Sequence, residues 1–131
     1  MRKALRSIWK TEGKREVSNP SNLKATFTLH YGKLAIGKLK LENRKWTFRY
    51  TREFKAQNEI KPITEFPRTD KVYESEELFP FFVHRIPSLS QPKIRATIER
   101  EKIEANEAAL LRRFGEHSIS NPFRLQAVTA A

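Results

Sequence analysis

The sequence contains no cysteine, only four glycines and no long apolar run, and each shortage excludes a class of protein. Without cysteine, the 131-residue chain has no disulfide, no thiol catalysis and no thiolate metal site. The glycines are isolated, so a Gly-rich phosphate-binding loop is absent. The longest apolar run is far below the roughly 20 residues that span a bilayer, and residues 1–10 lack the apolar region of a signal peptide. We therefore expect a cytoplasmic protein that has no contact with a membrane.

Groups that carry catalysis or bind metals are also scarce. The three histidines belong to three different predicted elements without metal-ligand spacing, and no Gly-x-Ser-x-Gly motif is present. The glutamates clustered at 74–77 and 99–107 are explained by helix starts and solvated helix faces. We therefore expect neither an enzyme nor a bound cofactor or metal.

Positive charge is abundant and unevenly distributed, with a formal net charge of +11. Residues 1–69 hold 17 Lys and Arg against six Asp and Glu, whereas residues 70–131 hold nine of each. Such a field favours nucleic acid or an acidic protein surface as a partner and speeds encounter with either. The charge alone does not choose between the two.

The hydrophobic pattern predicts one domain, residues 25–131, behind a basic extension of residues 1–24 that is either a flexible tail or a short docking helix. In the domain, apolar and polar residues first alternate in three segments separated by turns, which predicts an antiparallel meander with one buried face. The parity of the alternation changes at Gly37, as it does at a β-bulge. The three predicted strands are 26–31, 34–41 and 45–50.

Helices follow the meander. An irregular loop, residues 51–70, is pinned to the core by Ile63 and Phe66, and Ser75 then caps a central helix that begins near residue 77 and ends before Pro87. Strands, then helices, then a strand is the order of an α+β fold. The two further helices and the closing strand are predicted at 91–103, 106–115 and 123–128.

The central helix is the densest apolar segment of the chain, with three phenylalanines in four residues. At 100° per residue it carries Leu78, Phe81 and Phe82 to one side and sends Phe79 and Val83 well round from them. One core-facing stripe does not hold all of these rings. Phe79 is therefore either simply buried in the domain or an aromatic anchor for a partner.

The strand Lys45–Tyr50 interleaves basic and aromatic residues, as a nucleic-acid stacking platform does. Its aromatic residues, Trp46, Phe48 and Tyr50, share one face, however, and a small sheet needs that face for its core. We therefore expect core packing and keep a small basic nucleic-acid-binding domain as the alternative function. Direct nucleic-acid contact by the basic tail is then secondary and non-specific.

Five short motifs occur in a fixed order over about 100 residues. They are Trp46-Thr47-Phe48-Arg49-Tyr50, Glu53-Phe54, Pro67, Leu78-x-x-Phe81-Phe82 followed by Ile86-Pro87, and Leu110-Leu111-x-x-Phe114-Gly115 followed by Ser118. In this order they resemble the first N-terminal subdomain of HipA-type serine/threonine kinases, the toxins of bacterial toxin–antitoxin systems, over residues 26–128. After Ser118 the family usually continues with Gly-Ala, whereas Ser120-Asn121-Pro122 stands here.

The resemblance implies a detached subdomain with no kinase activity of its own, because the family's nucleotide-binding and catalytic parts lie beyond this region. It also implies a role, since three-component systems pair a small antitoxin, HipS, with a shortened kinase, HipT, and a helix-turn-helix DNA-binding protein, HipB. We therefore expect a HipS-like antitoxin whose partner is a HipA- or HipT-type kinase, with a HipB-like protein as a candidate third member of the complex.

Partner-binding residues are expected on two surfaces. Phe79 is the first candidate to project into the kinase, and Phe66 and Arg85 follow, because aromatic and arginine side chains make strong interface anchors. Lys45 and Arg49, on the outer face of the meander, are candidates for steering towards an acidic kinase surface. The alternative for this pair is an ordinary solvated face.

Overall fold

The computed structural model describes residues 23–119 and 121–128, so the predictions made for residues 1–22 lie outside it. The described part is an α+β fold, as predicted, and Leu23 already packs against its core. Its elements in chain order are β1 (Ala25–Tyr31), β2 (Leu34–Glu42), β3 (Lys45–Tyr50), α1 (Arg52–Lys55), β4 (Tyr73–Ser75), α2 (Pro80–Val83), α3 (Pro92–Glu101), α4 (Glu107–Phe114) and β5 (Arg124–Ala127).

The five strands form one antiparallel sheet in the order β4-β3-β2-β1-β5. The predicted meander is therefore confirmed, and the predicted closing strand pairs with β1. Two tight turns join the meander. Gly32 occupies a left-handed conformation (φ +59°) in the first turn, and Asn43 and Arg44 adopt φ values of +54° and +63° in the second.

The predicted bulge lies next to Gly37. Leu29 pairs with Gly37 and the following His30 pairs with Ala35, which leaves Ile36 as the extra residue of β2. A Cβ atom at position 37 would lie 2.5 Å from the Phe48 ring and 2.8 Å from the carbonyl oxygen of Arg49. Glycine is therefore required for β2 to approach β3 at this point.

The inner face of the sheet supplies most of the core. Trp46, Phe48 and Tyr50 are only 0%, 0% and 3% exposed, so the expected core packing is confirmed and the stacking-platform interpretation of this strand is wrong. Helical residues Leu110 and Leu111 belong to the same buried cluster, so α4 covers this face.

The central helix is shorter than predicted. α2 covers only Pro80–Val83, whereas Ser75, the expected cap, is the last residue of β4. A residue before proline is forced out of the helical region, and Phe79 accordingly has an extended backbone (φ −62°, ψ 141°). Pro80 therefore fixes the first turn of the helix rather than lying inside it.

The loop over residues 51–70 contains one helical turn, α1, that the sequence pattern did not indicate. Thr51 caps it by accepting a hydrogen bond from the Phe54 amide, and the Phe54 side chain is buried. Ile63 and Phe66 are also buried, so the prediction that they pin this loop to the core is confirmed.

The last two helices agree with prediction to within two residues. α3 follows Gln91 and ends at Glu101, and the backbone of its C-cap residue, Lys102, is left-handed (φ +55°). Asn106 caps α4, because its side-chain oxygen accepts a hydrogen bond of 2.7 Å from the Ala109 amide. Gly115 follows the last turn of α4, as predicted.

Candidate functional site

The segment around α2 is anchored in the core from one side. Leu78, Phe82, Val83 and Ile86 are buried, so the side facing the sheet differs from the predicted one by including Val83. Phe81, which was expected on that side, is only half-buried. This segment therefore divides its phenylalanines between the core, which holds Phe82, and the surface, where Phe79 and Phe81 are half-buried.

A row of partly exposed aromatic rings runs from this segment to the edge of the sheet. Four of the rings pack against the core on one side and are open to solvent on the other, whereas the fifth, Tyr31, is 43% exposed and packs on the Phe123 ring. We call this row the aromatic band, and its members are Tyr31, Tyr73, Phe79, Phe81 and Phe123.

The rings of the band are linked by short contacts. The Tyr31 and Phe123 ring centroids are 5.8 Å apart, and those of Phe123 and Phe81 are 6.2 Å apart. The buried Phe66 ring lies beneath the other half, with centroids 6.1 Å from Phe81, 5.2 Å from Phe79 and 5.0 Å from Tyr73. Such edge-to-face packing holds the exposed rings in defined positions.

Phe79, the first candidate for a partner contact, lies within this band. Its ring is partly buried against Phe66 and Phe82, so neither simple burial nor full projection describes it. A half-buried ring just before a short helix leaves an apolar edge in solvent while the following proline restricts its backbone. The position is consistent with the predicted anchor, whose binding role stays a prediction.

Two other expected contact residues are not on the surface. Phe66 is 2% exposed and Arg85 is 4% exposed. The expectation that these side chains project towards a partner is therefore wrong for this conformation. Phe66 is buried because its ring stacks on the core residue Phe48, with ring centroids 4.5 Å apart.

Arg85 is buried because it forms hydrogen bonds to the segment that follows α4. Its Nη1 atom donates hydrogen bonds to the carbonyl oxygens of Gly115 (3.0 Å) and Glu116 (3.2 Å), and its Nη2 atom donates to Asn121 Oδ1 (3.0 Å) and the Phe123 carbonyl oxygen (2.8 Å). Burial lowers the pKa of the Arg85 guanidinium to about 10, which leaves it charged at neutral pH. Arg85 thus positions Phe123 in the aromatic band.

Glu107 is a structural residue that the sequence pattern missed, since the glutamates at 99–107 were assigned to solvated faces. It is 1% exposed. Its Oε1 atom accepts a hydrogen bond of 2.9 Å from Trp46 Nε1, and its carboxylate also accepts from the Leu78 amide at 3.3 Å. The only available signal was that a core tryptophan needs an acceptor for its indole N–H.

Lys45 and Arg49 lie on the outer face of the sheet, as expected, and both are exposed. Lys45 pairs with Glu74 at 3.4 Å. The cations of this face share strands β2 and β3, and we call the surface they form the basic face. Its members are Lys38, Lys40, Lys45 and Arg49.

A comparison with known protein families shows which family the chain belongs to. The family model described as the HipA N-terminal domain matches residues 28–119, which is more than two thirds of the sequence. The chain belongs to the HipA N-terminal domain family. A comparison with curated proteins finds no match.

The family match extends from β1 to the residues just after α4, and this places most of the aromatic band inside the HipA N-terminal domain. Phe123 and strand β5 follow the matched region. Arg85 connects the two, because it lies within the match and holds the carbonyl oxygen of Phe123. The band is therefore completed by residues outside the matched part.

The HipA N-terminal domain is a non-catalytic subdomain, and the groups of the aromatic band fit a binding surface better than a reaction centre. In the described ranges, no three His, Asp or Glu side chains come close enough to hold a metal ion. Every helix described is too short or too polar to cross a membrane.

Proposed function

We propose that this protein is an antitoxin that binds a HipA- or HipT-type serine/threonine kinase and inhibits it by non-covalent contact. The observation that carries the proposal is the family membership, because a non-catalytic HipA domain has a kinase of its own family as its natural contact. A surface that a full-length kinase buries within one chain becomes an intermolecular interface when its two sides are separate proteins. A HipB-like DNA-binding protein is the candidate third component.

The aromatic band is the contact surface we assign to the kinase. Large rings remove much apolar area from water and have few rotors to immobilise, so they dominate binding energy at interfaces. Phe79 immediately precedes α2, Phe81 lies within it, and both rest on the buried Phe66 ring, which makes the centre of the band rigid. Pre-positioned rings lose little conformational entropy when a partner covers them.

The cations at Lys45 and Arg49 contribute differently. They lie on the outer face, away from the core, and are solvated. Exposed charges of this kind change the rate of encounter and its salt dependence more than the strength of the final complex. We therefore assign them a steering role towards acidic kinase surfaces and no anchoring role.

The first experiment compares two half-buried phenylalanines. Phe79 is in the aromatic band, whereas Phe114 is half-buried at the end of α4, where its ring contacts the Arg113 guanidinium 5.1 Å away. Phe79→Ala and Phe114→Ala remove the same atoms, and we expect each to lower the free energy of unfolding by a similar amount, about 1–3 kcal/mol. Only Phe79→Ala is expected to weaken kinase binding, by at least tenfold for a truncated anchor.

The readouts are co-purification with a tagged HipA-family kinase from the same genome, and thermal unfolding of each variant alone. If the aromatic band served only as core, the two variants would bind the kinase equally well at a temperature at which both are folded. Equal loss of kinase binding by Phe79→Ala and Phe114→Ala would therefore contradict the assignment of the contact surface.

A further inference from the structure

The basic face has an arrangement of charge that the proposed kinase contact uses for steering and not for anchoring. Lys38 on β2 and Arg49 on β3 are paired directly across the strands, and both are exposed. Like charges placed directly opposite one another on a sheet repel. The pair therefore does not stabilise the fold by itself, and an anion bound between the two cations would offset their repulsion.

The acids near this face are already engaged with other cations. Glu42 lies 3.5 Å from both Lys24 and Lys40, and Glu74 lies 3.4 Å from Lys45. Among the residues that the structure describes, no ion pair involves Lys38 or Arg49. Within the described ranges, this cross-strand pair is therefore a site of double positive charge that no carboxylate neutralises.

The surface around the pair suits phosphate groups. Lys38, Arg49 and neighbouring side chains line an open depression of about 480 Å³, and Thr26 and Thr47 belong to the same lining. Lysine, arginine and threonine are the side chains that contact nucleic-acid backbones. A sheet spacing of about 3.3 Å per residue puts successive outward cations, Lys38 and Lys40, roughly 7 Å apart along β2.

The same surface suits a protein partner poorly. Protein interfaces are anchored by aromatic or other large apolar groups that are buried on binding. The depression is lined by Lys, Arg, Thr, Asn and Glu side chains, and Val72, which is 43% exposed at its margin, is the one apolar side chain among them. Aromatic rings that stack on unpaired bases are likewise absent from this lining, which disfavours single strands.

We propose that the basic face binds the phosphate backbone of duplex DNA without reading its sequence, through Lys38 and Arg49 with Lys40 and Lys45 beside them. DNA is favoured over duplex RNA because RNA recognition also uses the 2′-hydroxyl groups, whereas cations, which suit phosphates, are the largest group in this lining, four of its nine residues. The aromatic band lies elsewhere on the domain and stays available to a protein partner. This inference does not depend on the proposed antitoxin function.

The test measures binding of the full chain to a labelled 20-base-pair duplex DNA of arbitrary sequence by fluorescence anisotropy, between 50 and 300 mM NaCl. The double variant K38Q/R49Q is compared with K93Q/R112Q, which removes one exposed lysine and one exposed arginine from α3 and α4. Both variants lose two positive charges, so non-specific attraction from net charge is matched. Circular dichroism confirms that each variant is folded.

We expect K38Q/R49Q to bind duplex DNA about tenfold more weakly than the wild type at 100 mM NaCl. The slope of log K against log salt should fall by about 2, or roughly 0.9 for each phosphate that the variant no longer neutralises. K93Q/R112Q should change the affinity by less than about threefold, since charges outside the binding surface act only through the long-range field. Single-stranded DNA and duplex RNA should bind more weakly than duplex DNA.

Four results would overturn the proposal. One is equal DNA binding by the two double variants, which would assign the effect to net charge or to the basic segment before β1. A second is no DNA binding by the wild type at 50 mM NaCl. Tighter binding of single-stranded DNA or of duplex RNA is the third. The fourth is slower kinase association by K38Q/R49Q with unchanged DNA binding, which would assign the face to an acidic protein.

Discussion

The aromatic band and the basic face are two surfaces of one sheet domain that differ in what lies beneath them. The rings of the band rest on buried side chains, such as Phe66 and Phe82, and so continue the core to the surface. The cations of the basic face follow from strand alternation, and the opposite side of each strand carries the packing. Substitutions in the band therefore affect folding and binding together, whereas those on the basic face affect binding alone.

The largest expected effect lies directly under the band. Phe82 is fully buried and contacts the Phe48, Phe66, Phe79 and Phe81 rings. Phe82→Ala should lower the free energy of unfolding by about 3–5 kcal/mol, because it removes a packed ring and leaves a cavity.

The matched change on the basic face is Lys38→Ala, which should alter the free energy of unfolding by no more than about 0.5 kcal/mol. Urea unfolding followed by tryptophan fluorescence measures both variants. Comparable decreases in the free energy of unfolding would show that side chains on the basic face contribute to folding as much as those under the aromatic band, which would contradict the difference described above.

The next effect concerns the buried carboxylate that joins sheet and helix below the band. Glu107→Leu leaves the Trp46 indole N–H and the Leu78 amide without this acceptor, and should lower the free energy of unfolding by about 2–3 kcal/mol. Trp46→Phe removes the donor from the same hydrogen bond. In the double variant the two effects should be less than additive by about 1 kcal/mol or more. Strict additivity would mean that the carboxylate and the indole do not stabilise one another.

A smaller effect comes from the tyrosine that ties the loop bearing Phe66 to the sheet. Tyr50 Oη donates to the Phe66 carbonyl oxygen (2.6 Å) and accepts from the Ile63 amide (2.9 Å). Tyr50→Phe should lower the free energy of unfolding by about 1–2 kcal/mol near neutral pH. Thermal unfolding of the two proteins measures this difference.

The same hydroxyl predicts a pH dependence. Burial raises the pKa of Tyr50 from 10.0 to about 12 in the folded protein. Since the folded pKa lies above the unfolded one, the contribution of the neutral phenol is complete below pH 10 and is lost as the pH rises towards 12. The stability advantage of wild type over Tyr50→Phe should shrink across this window. A phenol that ionises in the ordinary tyrosine range in the native protein would contradict this account of the loop.

The elements that sequence predicted well are those in which one local pattern sets the structure. Strict alternation in β3 placed Trp46, Phe48 and Tyr50 on one face, and the parity change at Gly37 located the bulge. In both cases the side-chain direction follows from the backbone period alone. The α+β class follows from the order of such local patterns, and the cap at Asn106 follows from the ability of its side-chain oxygen to accept a hydrogen bond from the first helical turn.

The features that sequence missed depend on contacts between distant parts of the chain. Glu107 reads as an ordinary acid at a helix start, and only the fold brings it to Trp46, 61 residues away. Arg85 reads as a surface cation, yet it is buried because four acceptors from the region after α4 surround it. The start of α2 at Pro80 is readable from the sequence, since the residue before a proline leaves the helical region.

The aromatic band was only partly predictable. Phe79 was identified because the phenylalanines after Leu78 exceed what one helical stripe holds. Tyr31, Tyr73 and Phe123 belong to three other segments, and their alignment with Phe79 and Phe81 is a product of sheet order and of the Arg85 contacts. Local periodicity carries no information on that alignment.

The most direct test of the proposed function is a titration of this protein into a purified HipA-family kinase from the same genome, with autophosphorylation as the readout. The account predicts that kinase activity falls to background as the protein approaches an equimolar ratio. It also predicts that Phe79→Ala requires at least tenfold more protein for the same inhibition, whereas Phe114→Ala behaves like the wild type. Full kinase activity at a large excess of folded wild-type protein would contradict the central claim.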